Sequence, residues 1–150
     1  MLVNPYVKEL SQIKKLKWYF SNNIDKYNRL ANFFSNESIP ISLIEWFVST
    51  YCRKNELSLC VDTKTGKKIV IVYDSYQSQI EYYSKKMFDP YALGSRFKFD
   101  ITGSNYSIIT TICQLNYFKW LYENGIMDYI EQNLEKLNDA RLKKNTNRRK

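Results

Sequence analysis

Histidine, the side chain that most often serves as general base, proton shuttle or metal ligand near neutral pH, does not occur in this sequence. Its absence excludes Ser-His-Asp and Cys-His nucleophilic arrangements and every metal site that needs an imidazole. The three cysteines, Cys52, Cys60 and Cys113, are odd in number and lack Cys-x-x-Cys spacing, so neither a disulfide framework nor a zinc set is expected. They read as reduced, buried thiols that behave as small hydrophobes; the alternative, a reactive thiol, lacks a histidine partner. Asp62, Asp74, Asp89 and Asp100 are the carboxylates to consider for metal-dependent phosphoryl chemistry, but no Asp-x-Asp pattern surrounds them. Asp89, placed before Pro90, reads instead as turn chemistry. The four glycines are isolated and form no phosphate cradle. These residues predict a protein that is not an enzyme and carries no cofactor or metal.

What remains for function is positive charge. The chain carries +8, from 23 Lys and Arg against 15 Asp and Glu. Residues 141–150 hold six of the cations (Arg141, Lys143, Lys144, Arg148, Arg149 and Lys150) and no acid, which leaves 17 against 15 in the first 140 residues. Such a tail can neutralise phosphates and release condensed counterions, giving salt-sensitive affinity for DNA or RNA. It can also be a nuclear localisation signal or a solvated end. A second basic group, Lys85, Lys86, Arg96 and Lys98, is interleaved with Tyr82, Tyr83 and Phe97, a pattern that can stack bases. A third set lies on one predicted helix, where Gln114, Asn116 and Lys119 would face base edges or phosphates if that helix were a recognition helix following a hairpin, as in winged-helix proteins. Aromatic residues at the same spacing are more often core, with Asn and Gln then on an exposed opposite face. Lys64, Lys67 and Lys68 at a hairpin tip could reach a phosphate backbone, though edge strands also carry lysine simply to resist aggregation.

The elements that must position these residues follow from periodicity. At 150 residues, with 44% hydrophobic and 16% aromatic content, the chain can bury a core as one domain without staples. Helical spacing covers Tyr6–Phe20 and Ile24–Phe34, a pair broken by Ser21, Asn22 and Asn23. Ser42 and Glu45 form a capping-box pattern that starts a helix running to about Lys54. Leu57–Thr63 and Lys67–Asp74 are β-branched runs joined by Lys64-Thr65-Gly66, the second apolar enough to be buried on both faces. A helix over Tyr76–Phe88 stops at Asp89-Pro90. Arg96–Ile101 and Tyr106–Ile109 form a second hairpin, Thr110 or Thr111 caps a helix that ends at Gly125, and Ile126, Ile130, Leu134 and Leu137 pattern a last helix leading into the tail. The expected fold is therefore α+β: helices with two short β-hairpins in a single compact domain (residues 1–140), a winged-helix-like C-terminal half, and a flexible basic tail (141–150). Within the domain, residues 1–36 form the helical pair and 40–138 the core. No run is apolar enough for a signal peptide or a membrane span, so a non-secreted protein away from the membrane is expected.

Three segments carry a resemblance: Ile41–Val48 (ISLIEWFV), Tyr83–Pro90 (YSKKMFDP) and Thr110–Trp120 (TTICQLNYFKW), the last continuing into Glu123–Ile126 and Asp128–Ile130. Together they resemble a family of uncharacterised proteins from nucleocytoplasmic large DNA viruses, over about residues 40–132. Members tend to follow Phe-Asp-Pro with an aromatic, a cysteine and a run of arginines; here Tyr91-Ala92-Leu93-Gly94-Ser95-Arg96 lacks most of that basic patch. The resemblance implies a viral protein acting in the virion or in the infected cell, in the cytoplasmic factory or the nucleus. Joined to the charge distribution, it favours a nucleic-acid-binding role in genome packaging or viral gene expression. The alternative is a protein-interaction module or virion component that docks other viral proteins, with some of Tyr82, Tyr83, Tyr91, Tyr117 and Tyr122 forming an exposed apolar patch.

Overall fold

Apolar residues at helical spacing build α1 (Val7–Ser21) and α2 (Ile24–Asn36), burying Ile13, Leu16 and Phe20 from the first and Tyr27, Leu30 and Phe33 from the second. The computed structural model describes the backbone of residues 7–149 and the side chains of residues 9–143. The last turn of α1 would leave carbonyls unpaired; Asn22 Nδ2 donates to Trp18 O at 2.7 Å and Asn23 Nδ2 to Tyr19 O at 2.8 Å. The short Asn-Asn link thus closes one helix before the next begins.

The chain forms two compact units, each assembled from two stretches: residues 1–39 with 79–120, and residues 40–78 with 121–150. In the first unit, β3 (Phe97–Asp100) and β4 (Ser107–Thr110) make an antiparallel hairpin, with Phe97 opposite Thr110 and Asp100 opposite Ser107. Here the predicted alternation holds, since Phe97 and Phe99 are buried while Lys98 and Asp100 are exposed. Phe99 meets the rings of Phe20 and Tyr27 with centroids 6.0 Å away in each case, in the edge-on and tilted geometries that aromatic quadrupoles favour. Helix α6 (Ile112–Glu123) starts where Thr111 Oγ1 accepts from Gln114 N at 3.4 Å, and Gly125 follows it in the left-handed conformation at φ 69°, as expected for a glycine stop.

The hydroxyl of Tyr27 ties α2 to the β3–β4 hairpin, donating to Phe99 O and Tyr106 O at 2.9 Å each. Burial, and secondarily the negative charge of Asp100, push its pKa from 10.0 up to about 12. The folded state therefore holds this proton more tightly than the unfolded chain. The resulting stability is complete below pH 10 and is lost as pH rises towards 12. Tyr27→Phe should cost about 1 kcal/mol at neutral pH, and its stability should fall less than that of the parent over the alkaline window, as read by urea denaturation across pH.

In the second unit the helix predicted over residues 42–54 is α3 (Ile41–Trp46), a π turn (Phe47–Tyr51) and α4 (Cys52–Lys54) in succession. Phe47 stacks on Tyr51 and on Tyr129, each at 5.6 Å. The capping box is corrected. Pro40 holds the N-cap position with φ −62° and no side-chain capping bond forms, so Ser42 lies inside the helix and its Oγ accepts from Arg141 Nη2 at 3.1 Å. β1 (Ser58–Thr63) pairs antiparallel with β2 (Gly66–Ile71), Cys60 facing Ile69. The expectation that the second strand is buried on both faces is also corrected. Among its residues only Val70 is buried, and Ile69 and Ile71 are 75% and 46% exposed. The apolar run crosses an element boundary: α5 (Val72–Tyr83) begins at its last residue. It then ends five residues before the predicted Phe88, since Ser84 takes φ 66° and a 3-10 turn (Lys85–Met87) follows. The predicted last helix is divided at Asn133 into α7 (Ile126–Gln132) and α8 (Leu134–Arg149). α8 continues through the stretch that the sequence sets apart as a tail.

Candidate nucleic-acid interface

The first unit carries a groove of about 330 Å³ lined by Gln12, Lys15 and Leu16 of α1, Tyr82 and Tyr83 at the end of α5, Met87, and Asn116 and Lys119 of α6. Its size lies near the lower end of the roughly 300–1,000 Å³ typical of ligand clefts, and among the described residues no acidic side chain lines it. Tyr82 is 77% exposed and stands edge-on to Tyr83, centroids 4.7 Å apart with planes at 87°. Tyr83 is parallel to Phe88, at 5.8 Å and 5°. Phe88 is 2% exposed and is held by the rings of Tyr117 at 4.9 Å and Trp120 at 5.5 Å. A relay of rings thus runs from the core to the surface and backs the outermost one on one side. Lys119 Nζ sits 5.1 Å from the ring centroid of Tyr19, with Lys26 Nζ at 5.9 Å from the same ring, within cation–π range.

The predicted basic and aromatic interleaving is realised only in part. Lys85 and Lys86 are exposed on the 3-10 turn that follows Tyr83. Lys86 shares a separate hollow of about 80 Å³ with Glu9, Leu93–Ser95, Phe97 and Cys113. Arg96 and Lys98 are exposed but line neither hollow. Lys15 and Gln12 were not singled out as site residues by the sequence. They lie one helical turn apart on α1, but nothing local signals that a segment about 70 residues away will face them.

The recognition-helix reading of α6 is corrected. Gln114 and Asn116 are only 5% and 4% exposed. Gln114 accepts from Thr110 Oγ1 at 2.8 Å and donates through Nε2 to Pro90 O at 3.0 Å; Asn116 Nδ2 donates to Met87 O at 2.9 Å. Both amides hold the Met87–Pro90 segment, whose carbonyls would otherwise be buried without donors. Lys119 alone of the three is half-exposed and reaches the groove. The alternative for the two amides, an exposed polar face, fails for the same reason. Gln114→Leu should destabilise the fold by about 1–3 kcal/mol, the cost of leaving Pro90 O without its donor and the Thr110 hydroxyl with only the 3.4 Å bond to Thr111 O. Nucleic-acid affinity of the folded protein should be unchanged, as measured by denaturation and binding on the same preparation.

Arg141 is half-buried and bonded to Ser42; Lys143 is exposed. The side chains of Lys144, Arg148, Arg149 and Lys150 lie outside the described residues, although α8 extends to Arg149. Lys64, Lys67 and Lys68 are exposed at the β1–β2 tip, where Lys67 Nζ is 3.9 Å from Asp62, a solvent-screened pair of little energetic weight. Cys52 and Cys113 are buried as expected, but Cys60 is exposed, because it falls on the outward face of β1. Burial pushes the Cys52 thiol up to about 12, which suppresses the thiolate a nucleophile needs. Asp89 Oδ1 accepts from Tyr91 N at 2.9 Å, the turn role predicted for it. Among the described residues no group of three or more Cys, Asp or Glu side chains is gathered to hold a metal, and no helix is long and apolar enough to cross a membrane.

The model of a family of unknown function, DUF7197, matches residues 4–150. The chain belongs to that family. The match takes in α1, α2 and α8, which the three motifs left outside the resemblance. A relative within reach of this DUF7197 chain is an uncharacterised protein of Acanthamoeba polyphaga mimivirus, 31% identical over 149 residues. This places the family among giant viruses, as the motifs implied. The alignment covers 95% of the chain and 57% of the mimivirus protein, so the chain spans little more than half the length of that relative. No solved structure matches.

Proposed function

We propose that this DUF7197 chain is a non-enzymatic nucleic-acid-binding protein of a giant virus, serving genome packaging or viral gene expression in the virion or the infected cell. The observation that carries the reading is the concentration of charge: six of 23 cations, and no acid, fall in the last ten residues, where α8 reaches Arg149. A cation excess of this density favours polyanions through counterion release. The acid-free groove with Tyr82, Tyr83, Lys15 and Lys119 supports the same reading. Fluorescence anisotropy with labelled DNA and RNA at low salt tests it directly; binding of either supports it, and no binding of either removes it.

A second reading is favoured by one feature of the second unit. The outward face of the β1–β2 hairpin carries Cys60, Ile69 and Ile71, an apolar strip of the kind that soluble proteins usually cover. Under this reading the chain is a protein-interaction module. Of the five tyrosines considered for its patch, Tyr117 and Tyr122 are buried at 1% and 4% exposure while Tyr82 and Tyr91 are exposed; the hairpin face adds a further apolar surface. Light scattering that shows a strictly monomeric chain together with nucleic-acid binding decides for the first reading.

A further inference from the structure

We propose that the groove takes an unpaired nucleobase, so that the protein prefers single-stranded over duplex nucleic acid, with Tyr82 as the stacking platform and Lys15 and Lys119 beside the flanking phosphates. The inference rests on the nucleic-acid reading and deepens it.

Four observations carry it. Tyr82 leaves 77% of its surface in solvent, while its edge-on contact with Tyr83, itself stacked on Phe88, gives the ring a backing on one side. An exposed aromatic face is what a base stacks on without regard to sequence. Next, cations come from two separate helices, Lys15 from α1 and Lys119 from α6, and both line the hollow that Tyr82 and Tyr83 close. A strand laid across it would meet positive charge together with an aromatic face. Third, Gln12 lines the groove and its carboxamide oxygen is buried without a hydrogen-bond partner; on rotation it can accept from a base N–H, such as the ring N3–H of thymine, a demand that apolar ligands do not meet. Finally, Ser84, directly after the two tyrosines, holds φ 66° and ψ 162°, a region that ordinarily only glycine occupies and that recurs at ligand clamps. This residue ends α5 and turns the chain beside the rim.

Duplex DNA cannot use such a site, since its bases are paired and stacked inside the helix and offer only their edges in the grooves. A single strand can splay a base outward, the arrangement that stacking sites on single-strand binders require.

The test compares a labelled 12-mer of thymidine with a 12-base-pair duplex by anisotropy at fixed salt, for the full chain, Tyr82→Ala, Tyr82→Phe, Lys15→Gln and a variant with Lys143, Lys144, Arg148, Arg149 and Lys150 changed to Gln. Tyr82 makes little buried contact, and a thermal melt establishes that each variant is folded. The parent is expected to bind the single strand more tightly than the duplex. Tyr82→Ala should weaken single-strand binding roughly five- to 100-fold, the range of losing one base–aromatic stack, with duplex binding unmoved. Tyr82→Phe should retain the preference, and Lys15→Gln should weaken the single strand more than the duplex. Equal affinity of the parent for the two ligands, or a Tyr82→Ala variant indistinguishable from it, overturns the groove inference. If the terminal variant still loses both ligands in that case, nucleic-acid binding stands without the groove. If the parent binds neither ligand, both fall.

Discussion

Changing Lys143, Lys144, Arg148, Arg149 and Lys150 to Gln should abolish most of the salt dependence of nucleic-acid binding while leaving the fold intact. Five phosphates neutralised on a duplex correspond to a log–log salt slope of about −4.5, or roughly a 500-fold loss of affinity between 50 and 200 mM salt. The variant retains Arg141, whose guanidinium donates to Ser42 Oγ, so the contact of α8 with α3 is preserved and a lost slope is not a folding artefact. Anisotropy titrations at four salt concentrations read the slope directly. A slope equal to that of the parent would mean that the terminal cations do not touch phosphate and serve only as a solvated or localising segment.

Phe88→Ala should be the most destabilising single change near the groove, by about 3–5 kcal/mol. The side chain is 2% exposed and its ring meets Tyr83, Tyr117 and Trp120, so truncation opens a cavity among three aromatics that cannot collapse into it. Against a total stability of about 5–15 kcal/mol, the loss lowers the urea midpoint sharply. The folded fraction should also lose its preference for single strands, because Tyr83 loses the ring that aligns it behind Tyr82. A loss below about 1 kcal/mol would show that the relay from Phe88 to Tyr82 is not a rigid unit.

Periodicity made much of the fold legible. Alternation in Phe97–Asp100 and helical spacing in α1 and α2 are strong local signals, and the structure contains the two hairpins and the helices they imply. The misses share one cause, which is that local pattern does not reveal who the tertiary neighbours are. Ser42 and Glu45 have the right spacing for a capping box, but Pro40 takes the N-cap two residues earlier and Arg141, 99 positions away, claims the hydroxyl. Ile69–Val72 looks like a buried strand because β-branched residues favour strands; a two-stranded sheet has no second layer to cover its outer face, and Val72 belongs to the next helix. Gln114 and Asn116 have the chemistry of base readout and the same chemistry satisfies buried carbonyls. Only their burial, with Met87 and Pro90 as partners, separates the two roles.

The candidate site shows the same limit. Tyr82, Tyr83 and the neighbouring lysines were visible as an aromatic and basic cluster along the chain. Lys119 stands on a different helix, where its signal is the polar set it shares with Gln114 and Asn116. Lys15 was visible only as a charge that interrupts an apolar run, because its place beside Tyr82 depends on how α1 packs. The groove therefore combines one residue group that sequence pattern detects with others that only the packing of α1 and α6 supplies.

Under the proposed function, this chain touches nucleic acid through the groove and its cationic end. Ultraviolet cross-linking to a photoreactive single strand, followed by peptide mass spectrometry, measures that contact most directly. Adducts on the peptide containing Tyr82 and Tyr83 and on peptides from residues 143–150 are the expected result. Saturating strand with no adduct on either region, in a protein shown to be folded, would contradict it.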